Sequence, residues 1–258
     1  MLESLLAGSL EDSLNREKEL PFDQLMQEIE NVPPALDAVS WLKPEGYTKV
    51  IAEVKRASPS RGDLAEIASP AKLAKEYELG GASIISVLTE ERKFKGSLAD
   101  LISVRKNVSV PILRKDFTAN KYQIAEARLA GADLVLLIVA ALDVETLKEL
   151  YAFTVSLGMT ALVEAHSAEE VQIAADLGAK LIGVNARNLK TFELDRELFG
   201  RVAGLIPQGS IKIAESAVLN VDDVKKYREA GADAVLVGEA LATADDPRQA
   251  VKKFISVK

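Results

Sequence analysis

Gly131-Ala132-Asp133-Leu134-Val135-Leu136-Leu137-Ile138 passes within eight residues from a helix-ending glycine to an unbroken apolar run. Glycine just past a helix end takes the left-handed conformation of a C-terminal cap. Apolar residues in unbroken succession read as a strand covered on both faces, as in a parallel sheet. The same passage recurs as Gly81-Ala82-Ser83, Gly178-Ala179-Lys180 and Gly231-Ala232-Asp233, at intervals of about 50 residues, enough for two strand–helix units per repeat. Apolar runs near 49–54, 83–88, 110–114, 133–138, 160–163, 181–184, 211–215 and 234–237 give eight strands separated by helical patterns. Eight parallel strands joined by crossover helices predict an α/β chain of the (β/α)8 TIM barrel type.

Residues 1–45 read differently. Leu2, Leu5, Leu6 and Leu10, then Phe22, Leu25, Met26 and Ile29, recur at helical spacing, which predicts an N-terminal helical extension of two amphipathic helices. Trp41 is expected to pack this extension. The 258 residues are expected to form a single domain, with 1–45 as the extension and 46–258 as the barrel.

Composition narrows the function. The chain is 48% hydrophobic with a net charge of −7, its 32 basic and 39 acidic residues intermixed, so no basic footprint for nucleic acid is present. It has no cysteine and one histidine, which excludes disulfides and thiolate metal sites and makes a histidine-rich metal centre impossible; no metal and no cofactor are expected. The N-terminal stretch carries acids where a secretory leader carries a basic region, and no run is long enough to span a bilayer. A cytoplasmic protein without membrane partners is the expectation.

Every second strand ends in charge: Glu53 and Lys55 in Val50-Ile51-Ala52-Glu53-Val54-Lys55, Lys115 after Ile112-Leu113-Arg114, Glu164 after Ala161-Leu162-Val163, and Glu215 in Ile213-Ala214-Glu215-Ser216. An unpaired charge at the end of a buried strand is costly, so four such ends predict one shared polar site, placed by the fold at the C-terminal mouth of the barrel. Glu53 and Lys55, at i and i+2, project to the same side. Lys115 and Glu164, from different walls, have the chemistry of a general acid and a general base. Among other cations and apolar walls, Lys115 is expected to have a lowered pKa.

Asn185 and Arg187 follow the sixth apolar run as groups able to position an oxygen or a carboxylate. The loops after strands 7 and 8, Glu215-Ser216-Ala217 and Gly238-Glu239-Ala240, stand where such barrels bind phosphate on backbone amides; Glu239 would repel a phosphate unless turned away. The polar loop from Arg56 to Asp63 suits an anion clamp, and it and the extension are candidate lids. Phe94, Phe117, Leu136, Leu137 and Leu189 are candidates to wall a ring pocket. His166 reads as a satisfied polar residue near the strand 5 loop.

Five segments in order, Ile51-Ala52-Glu53-Val54-Lys55-Arg56-Ala57-Ser58-Pro59-Ser60, Leu113-Arg114-Lys115-Asp116-Phe117, Leu162-Val163-Glu164, Gly183-Val184-Asn185-Ala186-Arg187-Asn188-Leu189-Lys190-Thr191-Phe192 and Ala214-Glu215-Ser216, closely resemble the indole-3-glycerol-phosphate synthase family of tryptophan biosynthesis. The resemblance covers essentially the whole chain, extension included. It implies a carboxy-lyase without metal or organic cofactor that converts 1-(2-carboxyphenylamino)-1-deoxyribulose 5-phosphate to indole-3-glycerol phosphate. It further implies Lys115 as acid for ring closure and Glu164 as base for dehydration, with Lys55 holding the substrate carboxylate or acting as the second acid. Glu53 would orient the lysines, Asn185 would bind a substrate hydroxyl or hold Glu164, and Glu215 would support the cluster. Arg187 and Ser58 are the implied anion contacts, beside the phosphate loops of Ser216, Ala217, Gly238 and Glu239. Ala217 stands where many relatives have glycine and Glu239 where some have a hydroxyl residue, so both bear on phosphate affinity.

Other tryptophan-pathway enzymes are candidate partners. The rival readings are a phosphoribosylanthranilate isomerase, which leaves the second lysine and the strand 6 pair without a task, and a barrel kept for binding alone.

Overall fold

The computed structural model describes residues 2–189, 191 and 193–257; Lys190 and Phe192 of the strand 6 motif lie outside the described residues. The apolar runs become β1 Lys49–Val54, β2 Ile84–Leu88, β3 Ile112–Lys115, β4 Leu134–Ile138, β5 Thr160–Ala165, β6 Leu181–Asn185, β7 Ile211–Glu215 and β8 Ala234–Val237. Each pairs with the next, and β8 returns to β1 through Lys49↔Ala234 and Ile51↔Leu236, closing a parallel barrel. The crossover helices are α4 Pro70–Leu79, α5 Leu98–Arg105, α6 Lys121–Leu129, α7 Val144–Ser156, α8 Ala168–Asp176, α9 Leu198–Val202 and α10 Val221–Glu229, followed after β8 by α11 Glu239–Ala242 and α12 Pro247–Ile255. No helix among the described residues is long and apolar enough to cross a membrane.

The repeated glycines act as expected. Gly81, Gly131, Gly178 and Gly231 have φ of 98°, 93°, 75° and 96°, a region that side-chain-bearing residues enter only at a cost. Two of the repeats also carry an aspartate that anchors the neighbouring strand. Asp133 accepts the backbone N–H of Ile112 at 2.8 Å and Asp233 that of Lys212 at 2.9 Å.

Because side chains alternate along a strand, lateral pairing carries one parity round the barrel. Leu113↔Leu134, Leu136↔Leu162, Leu162↔Leu181 and Leu181↔Ile211 run along the inside. With Ile51, Ile84, Ile138, Ile213 and Leu236 they form the inner core. The intervening Val50, Ile85, Ile112, Val135, Leu137, Val163 and Val235 pack outward under the helices. Leu137 therefore does not face the interior, contrary to expectation.

The extension holds three helices rather than two: α1 Leu2–Glu19, α2 Phe22–Ile29 and the one-turn α3 Ala38–Trp41. Asp37 caps α3 by accepting from the backbone N–H groups of Val39 and Ser40. Ala38 and Leu42 enter the inner core, and Trp41 is left 39% exposed. Leu2 and Leu5 of α1 join the same core beside Phe117. Leu25 of α2 packs on Tyr122 and Ala125 of α6.

Polar contacts tie α1 to the back of β3. Ser9 donates to Asp116 at 2.8 Å and Arg16 Nη2 to Glu126 at 2.9 Å. Arg114, 2% exposed, completes the network, donating to Glu126 at 2.8 Å, to Asp116 at 3.2 Å and to Thr89 at 3.0 Å. Removing one partner of a buried network strands the others. Arg114→Leu should therefore lower unfolding free energy by about 3–5 kcal/mol, measured as a shift of the urea midpoint at unchanged slope.

Candidate active site

Glu53, Lys55, Lys115, Glu164, Asn185 and Glu215 meet at the C-terminal mouth, around one cavity of about 430 Å³, a size suited to a small organic molecule. The strand register explains the meeting. Ile138↔Glu164, Glu164↔Gly183 and Asn185↔Glu215 place these groups on the inward parity.

Lys115 Nζ lies 2.9 Å from Glu164 Oε2 and 3.6 Å from Glu215 Oε2. Burial pushes its pKa down, but the negative charges of Glu164, Glu215 and Glu53 outweigh burial and raise the pKa well above the ordinary lysine value. The expected depression is therefore corrected, because the groups that face Lys115 are carboxylates and not cations.

Burial would raise Glu164, yet Lys115 and His166 hold it well below the usual carboxylate range. Glu215 goes the other way: burial first, then the adjacent Glu164, push it well above that range. Its Oε1 is buried and receives no donor, as fits a neutral acid. The two carboxyl groups titrate as one system, in which the proton favours Glu215 over Glu164.

Two glycines make room for this chemistry. A Cβ on Gly183 would lie 2.0 Å from Glu215 Oε1, and one on Gly238 would lie 2.4 Å from Glu53 Oε1. Only a bare backbone lets those carboxylates lie where they do.

Asn185 Nδ2 donates to Glu164 Oε1 at 3.2 Å. Its own oxygen accepts from Ser216 Oγ at 2.7 Å and from the Arg187 N–H at 3.0 Å, so the amide is fixed with its NH₂ toward the carboxylate. Of its two expected tasks, holding Glu164 is the one present here. Lys55 lies 3.4 Å from Glu53 and 5.7 Å above the Phe94 ring, which leans on Phe117 with 6.1 Å between centroids.

Ser58, Phe94, Phe117, Leu136, Arg187, Leu189, Ser216, Ala217, Gly238 and Glu239 all border the cavity, as do Leu5 of α1 and Ile138, which the sequence reading missed. Leu137 does not border it, since its side chain packs beneath the helices. An alternating parity counted back from Glu164 through its partner Ile138 would have selected Leu136 and Ile138.

The loop after β1 folds over the mouth as a small hairpin, Ala57 opposite Asp63 and Ser58 opposite Gly62. Arg56 grips Asp100 at 2.5 and 3.1 Å. Arg61 Nε donates to Glu239 Oε1 at 3.0 Å. Glu239 is thus paired with a cation from the loop of the neighbouring strand β1.

His166, expected to be a satisfied polar residue, has its Nδ1 3.2 Å from Glu170 but its Nε2 buried 3.2 Å from Glu164 Oε1 without a hydrogen bond. The only signal in the sequence was its i+2 spacing from Glu164.

Strand-end lysines and glutamates thus face one another inside a closed (β/α)8 barrel. The family model described as indole-3-glycerol phosphate synthase matches residues 2–254. Proteins named indole-3-glycerol phosphate synthase are 60% identical over 95% of this chain and 94% of their own in Leifsonia xyli, and 57% identical over 99% and 95% in Rhodococcus opacus. The chain belongs to the indole-3-glycerol phosphate synthase family. The fold alone is shared with a thiamine phosphate pyrophosphorylase from Pyrococcus furiosus, at TM-score 0.62 and 16% identity over 86% of this chain and 97% of that one. A 3-hexulose-6-phosphate synthase also has TM-score 0.62, at 19% identity over 81% and 99%.

Ser216 and Ala217 both have positive φ, 68° and 58°. The left-handed region costs a residue with a Cβ roughly 1–2 kcal/mol, part of which glycine gives back through its looser unfolded chain. Ala217→Gly should stabilise the protein by up to about 1 kcal/mol, visible as a higher thermal midpoint.

Proposed function

We propose that this chain carries out the synthase reaction of its family, ring closure, decarboxylation and dehydration of 1-(2-carboxyphenylamino)-1-deoxyribulose 5-phosphate, with Lys115 as acid and Glu164 as base. The observation that carries this reading is the Lys115–Glu164 contact of 2.9 Å beside an apolar ring wall of Phe94, Phe117, Leu136 and Leu189.

In the first step the anthranilate ring carbon bearing the carboxylate attacks the ketone carbon. A carbon–carbon bond forms and the carbonyl electron pair moves to oxygen, where Lys115 delivers a proton. A lysine held protonated by the carboxylates of Glu164 and Glu53 keeps its proton until a more basic alkoxide develops, so the transfer follows charge formation. Loss of carbon dioxide returns its bonding pair to the ring and restores aromaticity. In the last step the hydroxyl leaves as water with a proton from a lysine, and Glu164 takes the proton from the neighbouring CH₂ carbon, giving indole. Lys55 is placed to meet the substrate carboxylate or to supply that second proton.

Glu53 and Glu215 set the charge around the lysines, and Asn185 aims Glu164. The loops of Ser216-Ala217 and Gly238-Glu239, with Ser58 and Arg187, take the phosphate. Holding the ring against the ketone in the closed pocket supplies the positioning that such a cyclisation needs. The isomerase alternative requires one acid and one base and gives Lys55 and Asn185 no task.

Adding the carboxyphenylamino-deoxyribulose phosphate to purified protein without added metal should produce indole fluorescence. Lys115→Ala and Glu164→Gln should each cut kcat by about 10²–10⁴-fold with the fold intact by circular dichroism. Binding without fluorescence would instead support the isomerase or a binding protein.

A further inference from the structure

His166 has no part in the chemistry just described, yet it is wedged between two carboxylates. It follows directly after β5, whose last inward residue is Glu164, and its side chain is 8% exposed. Nδ1 lies 3.2 Å from Glu170 Oε2 on α8, and that same oxygen accepts the His166 backbone N–H at 2.7 Å. Nε2 is buried 3.2 Å from Glu164 Oε1 without an in-line hydrogen bond. A small turn of the Glu164 carboxylate would bring the two into line. The ring is thus clamped on the helix side and aimed at the base on the other.

Glu164 already has a counter-charge in Lys115, so a second cation needs a reason. Ring closure supplies one. When Lys115 passes its proton to the alkoxide it becomes neutral, and Glu164 loses its nearest positive charge while still having to act as a base. A buried carboxylate deprived of its partner takes up a proton, which would disarm it before dehydration. The imidazolium of His166 is not consumed in ring closure and stays beside Glu164 Oε1, while Lys115 faced Oε2.

We propose that His166, clamped by Glu170, is a positioning residue that serves as the standing counter-cation of Glu164, keeping it aligned and ionised while Lys115 is without its proton. The proposal rests on the base role of Glu164. The charged groups facing the imidazole are Glu164 from β5 and Glu170 from α8; beyond Glu164 stand Lys115 of β3 and Glu215 of β7. Burial lowers the His166 pKa, but the adjacent Glu164 and Glu170 carboxylates raise it to about 9. The imidazole is therefore charged at neutral pH and loses its charge as pH rises through that value.

This is the only histidine of the chain, so its imidazole NMR signals need no assignment. In the intact protein they should titrate near pH 9, and in Glu170→Gln about one unit or more lower. The kcat of Glu170→Gln should match wild type at pH 6 and decline at correspondingly lower pH on the alkaline side. His166→Asn should lose about tenfold in kcat at neutral pH with KM within twofold. A histidine titrating near 6.5 in the wild type would overturn the proposal. So would superimposable kcat–pH profiles for wild type and Glu170→Gln, which decides the matter even if His166→Asn fails to fold. Full activity in Glu164→Gln would instead overturn the functional reading, a separate result.

Discussion

Lys115 and Glu164 meet at 2.9 Å where little water reaches, their side chains 14% and 1% exposed, and the rest of the mouth is arranged around that contact. Either charge alone would be expensive there. Together with Glu53, Lys55 and Glu215, whose proton is held more tightly than a usual carboxyl's, they make a cluster of both signs, which a barrel interior can hold. In the proposed reaction the same balance gives the cluster its reactivity: a loaded acid would touch an ionised base, and the negative surroundings would keep the acid loaded.

That arrangement makes demands on the backbone far from the reacting groups. Gly183 and Gly238 must lack side chains so that Glu215 and Glu53 can lie flat against the wall. Asn185 must have its oxygen saturated by Ser216 and Arg187 so that its amide faces Glu164. Directly behind Lys115, the outward Arg114 joins β3 to α6 and, through Asp116, to Ser9 of α1. The extension thus braces the strand that carries the acid, while Leu5 from the same helix borders the cavity.

The barrel was legible because parallel strands covered on both faces are written as uninterrupted apolar runs, each begun by a glycine cap or a turn. That same property hid the parity. Leu136 and Leu137 look alike in sequence, and only pairing to a neighbour of known direction separates the one facing the cavity from the one facing a helix. The charged strand ends were legible for the opposite reason, since charge after an apolar run has few places to go. Which charges face one another depends on closure of the barrel, so Lys115 was read amid cations when it stands amid carboxylates. The pairing of Arg61 with Glu239 was out of reach in the same way, because the partner comes from another loop whose docking no local pattern reveals; the neighbours of His166, Glu164 and Glu170, lie within four residues of it in the chain.

The central claim is a proton distribution: Glu164 ionised and Glu215 neutral around a protonated Lys115. Infrared difference spectroscopy of the intact protein against Glu215→Gln at neutral pH tests it most directly. A single protonated-carboxyl band should disappear with the carboxylate bands unchanged. Loss of carboxylate intensity with no protonated-carboxyl band would show that Glu215 is charged, and would contradict the balance on which this reading of the site depends.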